Sequence, residues 1–282
     1  MEKPAMTEKY DIQPGQSIEL LKELHILTRD GKLNQDSRRK LKQVYHLYQF
    51  IEPLLKTIQE DHPEVTLVDH GAGKSYLGFI LYDLFFKGQD SGSRIFGIET
   101  RDELVERSRA LAERLAFPGM SFLKLSVAES IASAALPETV DMVTALHACD
   151  TASDDAIRFA LEKQARFIVL VPCCQAEVAA VLRKNKAASL ARSSLTEIWR
   201  HPLHTREFGS HITNVLRCLQ LEAHGYQVNV TELVGWEHSL KNELIIASYQ
   251  DLPRRRAAER LQELLHLLGL AEMSQRFFTP GY

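Results

Sequence analysis

From residue 65 onward, short runs rich in Val, Ile, Leu and Phe take turns with amphipathic stretches, an order that few architectures accept. The apolar runs are Val65 to Asp69, Arg94 to Glu99, Ser121 to Leu125, Val140 to Leu146, Arg166 to Pro172, Tyr226 to Val234 and Glu243 to Tyr249. Helical periodicity fills Tyr76 to Phe86, Arg101 to Leu115, Ala152 to Lys163, Glu177 to Lys184 and His211 to His224. Parallel neighbours need a long crossover, so this alternation predicts an α/β fold whose mainly parallel sheet carries helices on both faces. Only Gly235 to Asn242 joins the last two runs. That is too short for a helical crossover, so they are predicted to close the seven-stranded sheet as an antiparallel hairpin.

The flanks read as helix. Ser17 to Glu60 carries Leu20, Leu21, Leu24 and Ile26, then a break at Asp30-Gly31, then Leu41, Val44, Tyr45, Tyr48, Ile51 and Leu55. Residues 253–270 form a leucine-rich amphipathic helix. The expected division is an N-terminal helical segment over 1–60, one α/β domain over 61–250 with a basic helical insertion at 183–217, and a C-terminal helix and tail over 251–282. With 45% hydrophobic and 25% charged residues the chain can bury a substantial core. A net charge of -3 gives no overall field for nucleic acid, so any such contact is a local patch. Met1 to Gln16 is polar and no run is long enough to span a bilayer, which makes a cytoplasmic protein without membrane attachment the expectation. Four cysteines, Cys149, Cys173, Cys174 and Cys218, are too few and too irregularly spaced for a disulfide framework. The adjacent pair also lacks the usual zinc spacing, so no metal is expected.

The run Val65-Thr66-Leu67-Val68-Asp69 leads into His70-Gly71-Ala72-Gly73-Lys74-Ser75 and then a helix. Glycines at 71 and 73 let the backbone turn sharply and approach a ligand closely. Asp69 at the strand end can accept from a cationic amino group, and Glu99 at the end of the next strand can take both ribose hydroxyls. Together they fit a nucleoside bearing an amino acid. Two other ligands fail on spacing. A phosphate-binding P-loop needs a glycine five places before Gly73, where Val68 stands. A nicotinamide fingerprint needs one three places after it, where Tyr76 stands, and an acid closer than Glu99. After the third strand, Ser126-Val127-Ala128-Glu129 lies where such folds contact a base, with Ala128 the candidate.

The following strand ends read Leu146-His147-Ala148-Cys149-Asp150-Thr151-Ala152-Ser153-Asp154 and Val171-Pro172-Cys173-Cys174-Gln175. With Asp69-x-Gly71-Ala72-Gly73-Lys74 and the late Lys241-Asn242, these motifs resemble the methyltransferase-like family that includes eukaryotic tRNA ribose methyltransferases. The resemblance spans roughly residues 38–250. It implies a Rossmann-like class I methyltransferase fold, S-adenosylmethionine as cofactor, and Asp69, Gly71, Ala72, Gly73, Glu99, Ala128 and His147 as its binding residues. Unlike the eukaryotic enzymes, this chain has no zinc segments and follows its cysteines with Gln175-Ala176.

Methyl transfer is an in-line displacement, so the protein must align a nucleophile and, where needed, take its proton. His147 and Asp150 are the candidates for that task. His147 titrates near neutrality when unperturbed, but a buried histidine satisfied by backbone accounts for it equally well; Asp150 adjoins a stretch that a helix cap explains in part. Cys173 and Cys174 are either buried small apolar residues or a nucleophile for a pyrimidine ring. Arg183, Lys184, Lys186, Arg192, Arg200, Arg206 and Arg217, with Arg38-Arg39-Lys40 and Lys42, are a phosphate-binding set or solvated helix faces. RNA is the expected macromolecular substrate. A protein or small-molecule methyltransferase and a non-catalytic cofactor-binding module are the alternatives.

Overall fold

The computed structural model describes residues 12–146, 151–172, 176–184, 197–198, 200–233, 243–252 and 254–280. Its strands are β1 (Thr66–His70), β2 (Arg94–Glu99), β3 (Met120–Lys124), β4 (Met142–Leu146), β5 (Phe167–Val171), β6 (Tyr226–Glu232) and β7 (Glu243–Tyr249). They form one sheet in the order β3-β2-β1-β4-β5-β7-β6. Neighbours from β3 through β5 are parallel. β7 runs antiparallel to both β5 and β6, so the chain does end its sheet in a hairpin. This is the expected Rossmann-like, seven-stranded arrangement.

The helices are α1 (Ile18–Glu23), α2 (Gln35–Asp61), α3 (Tyr76–Leu81), α4 (Asp102–Arg114), α5 (Val127–Ala132), α6 (Thr151–Glu162), α7 (Glu177–Lys184), α8 (Pro202–Ala223) and α9 (Arg255–Leu267). Side chains alternate across each strand, which sorts the core into layers. Leu67 and Met142 join Ile51, Phe79 and Leu111 beneath α2, α3 and α4. Val68, Val143 and Ala145 join Ile157, Phe159 and Leu221 beneath α6 and α8 on the other face. A third cluster, with Leu216, Leu261, Leu265 and Phe277, fastens α9 and the tail to α8. Burial of one such side chain contributes about 2–3 kcal/mol. Packing of this kind, rather than intrinsic propensity, holds a helix as short as α3.

Two elements depart from the sequence expectation. α8 begins at Pro202, not His211, with proline in its first turn, where the ring supplies a helical φ and no N–H is needed. α5 was not anticipated. Its capping box ties Ser126 and Glu129: the Glu129 carboxylate accepts from the Ser126 N–H at 2.8 Å and from its hydroxyl at 2.7 Å. Among the described residues no helix is long and apolar enough to cross a membrane. From β1 the chain moves outward to β2 and β3, then crosses to β4 on the other side of β1. The crevice at the carboxyl ends of β1 and β4 is therefore the switch point where ligands of open α/β sheets bind.

Candidate functional site

β1 ends in Asp69-His70 and the backbone then turns through Gly71 and Gly73, at φ 67° and 59°. These are left-handed angles that glycine adopts freely. The turn is stitched to β2: Ala72 N–H donates to the Ile98 carbonyl at 2.9 Å, and Gly73 N–H to Glu99 Oε2 at 2.9 Å. Ser75, also left-handed at φ 49°, starts α3.

Asp69 lies under this turn, only 2% exposed. Register sets it beside Thr144 of β4 and Gly97 of β2. Its Oδ1 accepts from Thr144 Oγ1 at 3.0 Å and its Oδ2 from Ser75 Oγ at 3.1 Å. Burial pushes the carboxyl up from 3.8 to about 6, against the downward pull of Thr144, Ser75 and the Gly78 N–H. Next along the row, Gly97 lets the Phe122 ring lie across β2; a Cβ there would meet that ring at 2.5 Å.

His70 points to the opposite face. Its ring packs against Phe159 with centroids 5.3 Å apart, and among the described residues neither ring nitrogen has a hydrogen-bond partner. Burial lowers its pKa from 6.5 to about 4, although the nearby Glu99 charge pulls upward. The imidazole is therefore neutral near pH 7.

Glu99 gathers donors around the lip of the turn. Besides Gly73, Arg101 donates from Nη2 to Oε2 at 3.0 Å and from Nε to Oε1 at 3.1 Å, and the Thr100 N–H reaches Oε1 at 2.9 Å. Burial alone would raise this carboxyl, but the Arg101 and Thr100 hydrogen bonds and the Arg101 charge outweigh it and bring it from 4.5 down to about 2. It is ionised throughout the physiological range.

Ala128 is exposed in the first turn of α5, beyond the end of β3. His147, Asp150, Cys173 and Cys174, all the proposed catalytic residues, lie outside the described residues, as do Cys149, Lys186, Arg192, Lys241 and Asn242. The structure thus brings Asp69, Gly71, Ala72, Gly73 and Glu99 together at one turn.

The basic set needs a correction. Arg217 is fully buried: its Nε donates to Asp154 Oδ1 at 2.6 Å and its Nη1 to Asn214 Oδ1 at 3.1 Å, so it cannot contact a substrate phosphate. Lys184, Arg200 and Arg206 are exposed, each beside an acid: Glu272, Glu197 and Glu207. Arg38, Arg39, Lys40 and Lys42 lie exposed on the early turns of α2.

A family model described as a methyltransferase domain matches residues 39–181, just over half of the chain. The chain belongs to the methyltransferase-domain family. Among solved structures, the chain is similar to magnesium protoporphyrin IX methyltransferase from Synechocystis PCC 6803 with bound SAH, at 13% identity and TM-score 0.44, covering 82% of this chain and 93% of that one. It is similar to precorrin-6y C5,15-methyltransferase from Geobacter metallireducens GS-15, at 16% identity and TM-score 0.41, covering 67% and 81%. Fibrillarin from Aeropyrum pernix with natively bound S-adenosyl-L-methionine matches at 14% identity and TM-score 0.39, covering 66% of each chain. A search of curated protein sequences finds no match.

Within this methyltransferase domain the sequence reading missed Ser75 and Thr144, which hold Asp69, and Arg101, which clasps Glu99. It also missed the seam between α6 and α8, where Asp154 of the motif starting at His147 receives Arg217. Thr144 was legible in principle as a polar residue inside an otherwise apolar buried strand.

Proposed function

We propose that this methyltransferase domain uses S-adenosylmethionine and methylates RNA in the cytoplasm. The observation that carries the cofactor reading is the glycine turn at the switch point, stitched to an ionised Glu99 and underlain by the Asp69 carboxyl. The backbone of Gly71, Ala72 and Gly73 would bear the amino-acid end of the cofactor, with the Asp69 carboxyl attracting its ammonium group from below. Glu99 would hold the ribose hydroxyls, and Ala128 would lie against the adenine. When bound, the cofactor supplies an activated methyl on a sulfonium. In sequence His147 and Asp150 follow β4 and Cys173 and Cys174 follow β5, and in open α/β sheets it is the residues after such strands that meet the acceptor. His147 or Asp150 would orient the acceptor and remove its proton.

The RNA reading rests on the resemblance of the His147–Asp154 and Pro172–Gln175 motifs to tRNA methyltransferases, and on the exposed cations at the start of α2. Incubation of the protein with methyl-labelled S-adenosylmethionine and cell lysate, depleted by nuclease or by protease, tests it. Loss of macromolecular label with nuclease is the expected result. Label that persists after complete RNA removal overturns the RNA reading and selects a protein substrate.

A further inference from the structure

Glu99 is fully subscribed. Oε2 accepts from the Gly73 N–H at 2.9 Å and Arg101 Nη2 at 3.0 Å. Oε1 accepts from the N–H groups of Thr100 and Arg101 at 2.9 and 3.1 Å, from Arg101 Nε at 3.1 Å and from Thr100 Oγ1 at 3.2 Å. A carboxylate offers about four lone-pair sites. A ribose held through two neighbouring hydroxyls needs room on both oxygens, so a present donor must yield.

The donors are not equally free to leave. The N–H groups of Gly73, Thr100 and Arg101 belong to the turn and to the residues that follow β2, so releasing them would dismantle the site itself. Arg101 is different: its side chain is 61% exposed and joined to Glu99 by a flexible stem. It also grips both oxygens at once, the same two that a vicinal diol would take. Its guanidinium lies at the lip of the turn, 3.8 Å from where a Cβ of Gly73 would stand. One side chain therefore covers the acid and borders the entrance.

We propose that Arg101 is a latch on the ribose site and a specificity determinant for the ligand. This rests on the reading of Glu99 as the ribose acceptor. Closed, Arg101 satisfies Glu99; a ligand opens the site only by offering both hydroxyls in exchange for the ion pair. Adenosyl binding is then an exchange reaction, weakened by whatever the ion pair contributes, and agents that loosen the pair strengthen the ligand. An alternative with the same contacts, in which Arg101 holds Glu99 in position for the ribose, has the opposite consequence.

The test is calorimetric titration of the full chain with S-adenosylhomocysteine, which carries no net charge near pH 7, at low and high sodium chloride. An exposed ion pair is worth up to ~1 kcal/mol, or about five-fold in a dissociation constant. Arg101→Ala and Arg101→Gln are thus expected to bind about two- to five-fold more tightly than wild type at low salt. Raising salt from about 0.05 to 0.5 M should tighten wild type toward the variants and leave the variants unchanged, because exposed pairs are screened over this range. Variants that bind equally or more weakly than wild type overturn the latch while leaving the cofactor reading intact. If neither wild type nor variants bind, the cofactor reading falls with it.

Discussion

The turn after β1 and the seam between α6 and α8 both bury charge, and they resolve it differently. In the seam, Arg217 is matched inside the chain by Asp154 and Asn214, and Asn214 in turn donates to Glu243 Oε2 at 2.6 Å. Arg276 from the tail adds contacts to Asp154 and Glu177. At the turn, among the described residues, Asp69 is held by neutral donors alone, His70 has no hydrogen-bond partner, and the cation on Glu99 comes from an exposed side chain. The seam neutralises its charge with buried or half-buried cations, although Asp154 Oδ2 accepts no hydrogen bond among the described residues, whereas the turn buries the Asp69 carboxyl beside neutral donors. A strongly perturbed titratable group in a crevice marks a candidate functional site. By this criterion the turn is the candidate, while Asp154, part of the most distinctive motif, is engaged by the buried Arg217.

Removing the seam's cation should have the largest effect. Arg217→Met leaves Asp154 buried without its main partner, and breaking a buried pair from one side costs about 3–5 kcal/mol. Urea unfolding of the variant checks this. The double variant with Asp154→Asn should recover part of the loss, because it removes the stranded charge. A loss below about 1 kcal/mol would show that the seam is not the buried ion pair described, since surface changes are of that size.

The turn makes a subtler prediction, from two neighbours with opposite shifts. Asp69 rises from 3.8 to about 6, so the folded state holds that proton more tightly and the associated stability is lost as pH climbs through about 6. His70 falls from 6.5 to about 4, so the unfolded state takes that proton first and stability is lost as pH drops from about 6.5 towards 4. Across that window the two slopes oppose each other. Asp69→Asn should expose the histidine slope, with stability increasing from pH 4 to 6.5. His70→Leu should expose the aspartate slope, with stability decreasing over nearly the same range. Each swing is about 3 kcal/mol at one pKa unit per 1.36 kcal/mol, measurable by urea unfolding at a series of pH values. Parallel pH profiles for the two variants would refute the opposed-shift account.

Much of the architecture was legible because buried parallel strands must be apolar on both faces, and runs such as Phe167–Val171 are. The short hairpin connection likewise left one pairing. The glycine turn was legible because Gly71 and Gly73 stand where positive φ is needed. The seam was not. Arg217 shares a helix with exposed charges, and nothing in helical periodicity says which charge faces inward to Asp154, 63 positions away. Arg101 resembles any surface arginine until Glu99 is set beside it in space. α5 was the avoidable omission, since Ser126-x-x-Glu129 is a capping box that sequence alone displays.

Gly97 gives the smallest stability effect and the one most confined to the turn. Asp69 lies between Thr144 and Gly97 in register, and Phe122 occupies the space a side chain at 97 would take. The Cβ of Gly97→Ala would sit 2.5 Å from the Phe122 ring and 3.5 Å from Ser75 Oγ. The ring is buried and stacks on Phe79 at 5.4 Å, so it has little room to retreat. Overpacking of this kind costs about 1–3 kcal/mol. Relieving the Phe122 clash must shift β2 where Gly97 pairs with Asp69, so S-adenosylhomocysteine binding should weaken in this variant, whereas Arg217→Met should spare it wherever the protein remains folded. Equal losses of binding in the two variants would mean that the turn and the seam respond as one cooperative unit, and the distinction between the candidate site and the seam would fail.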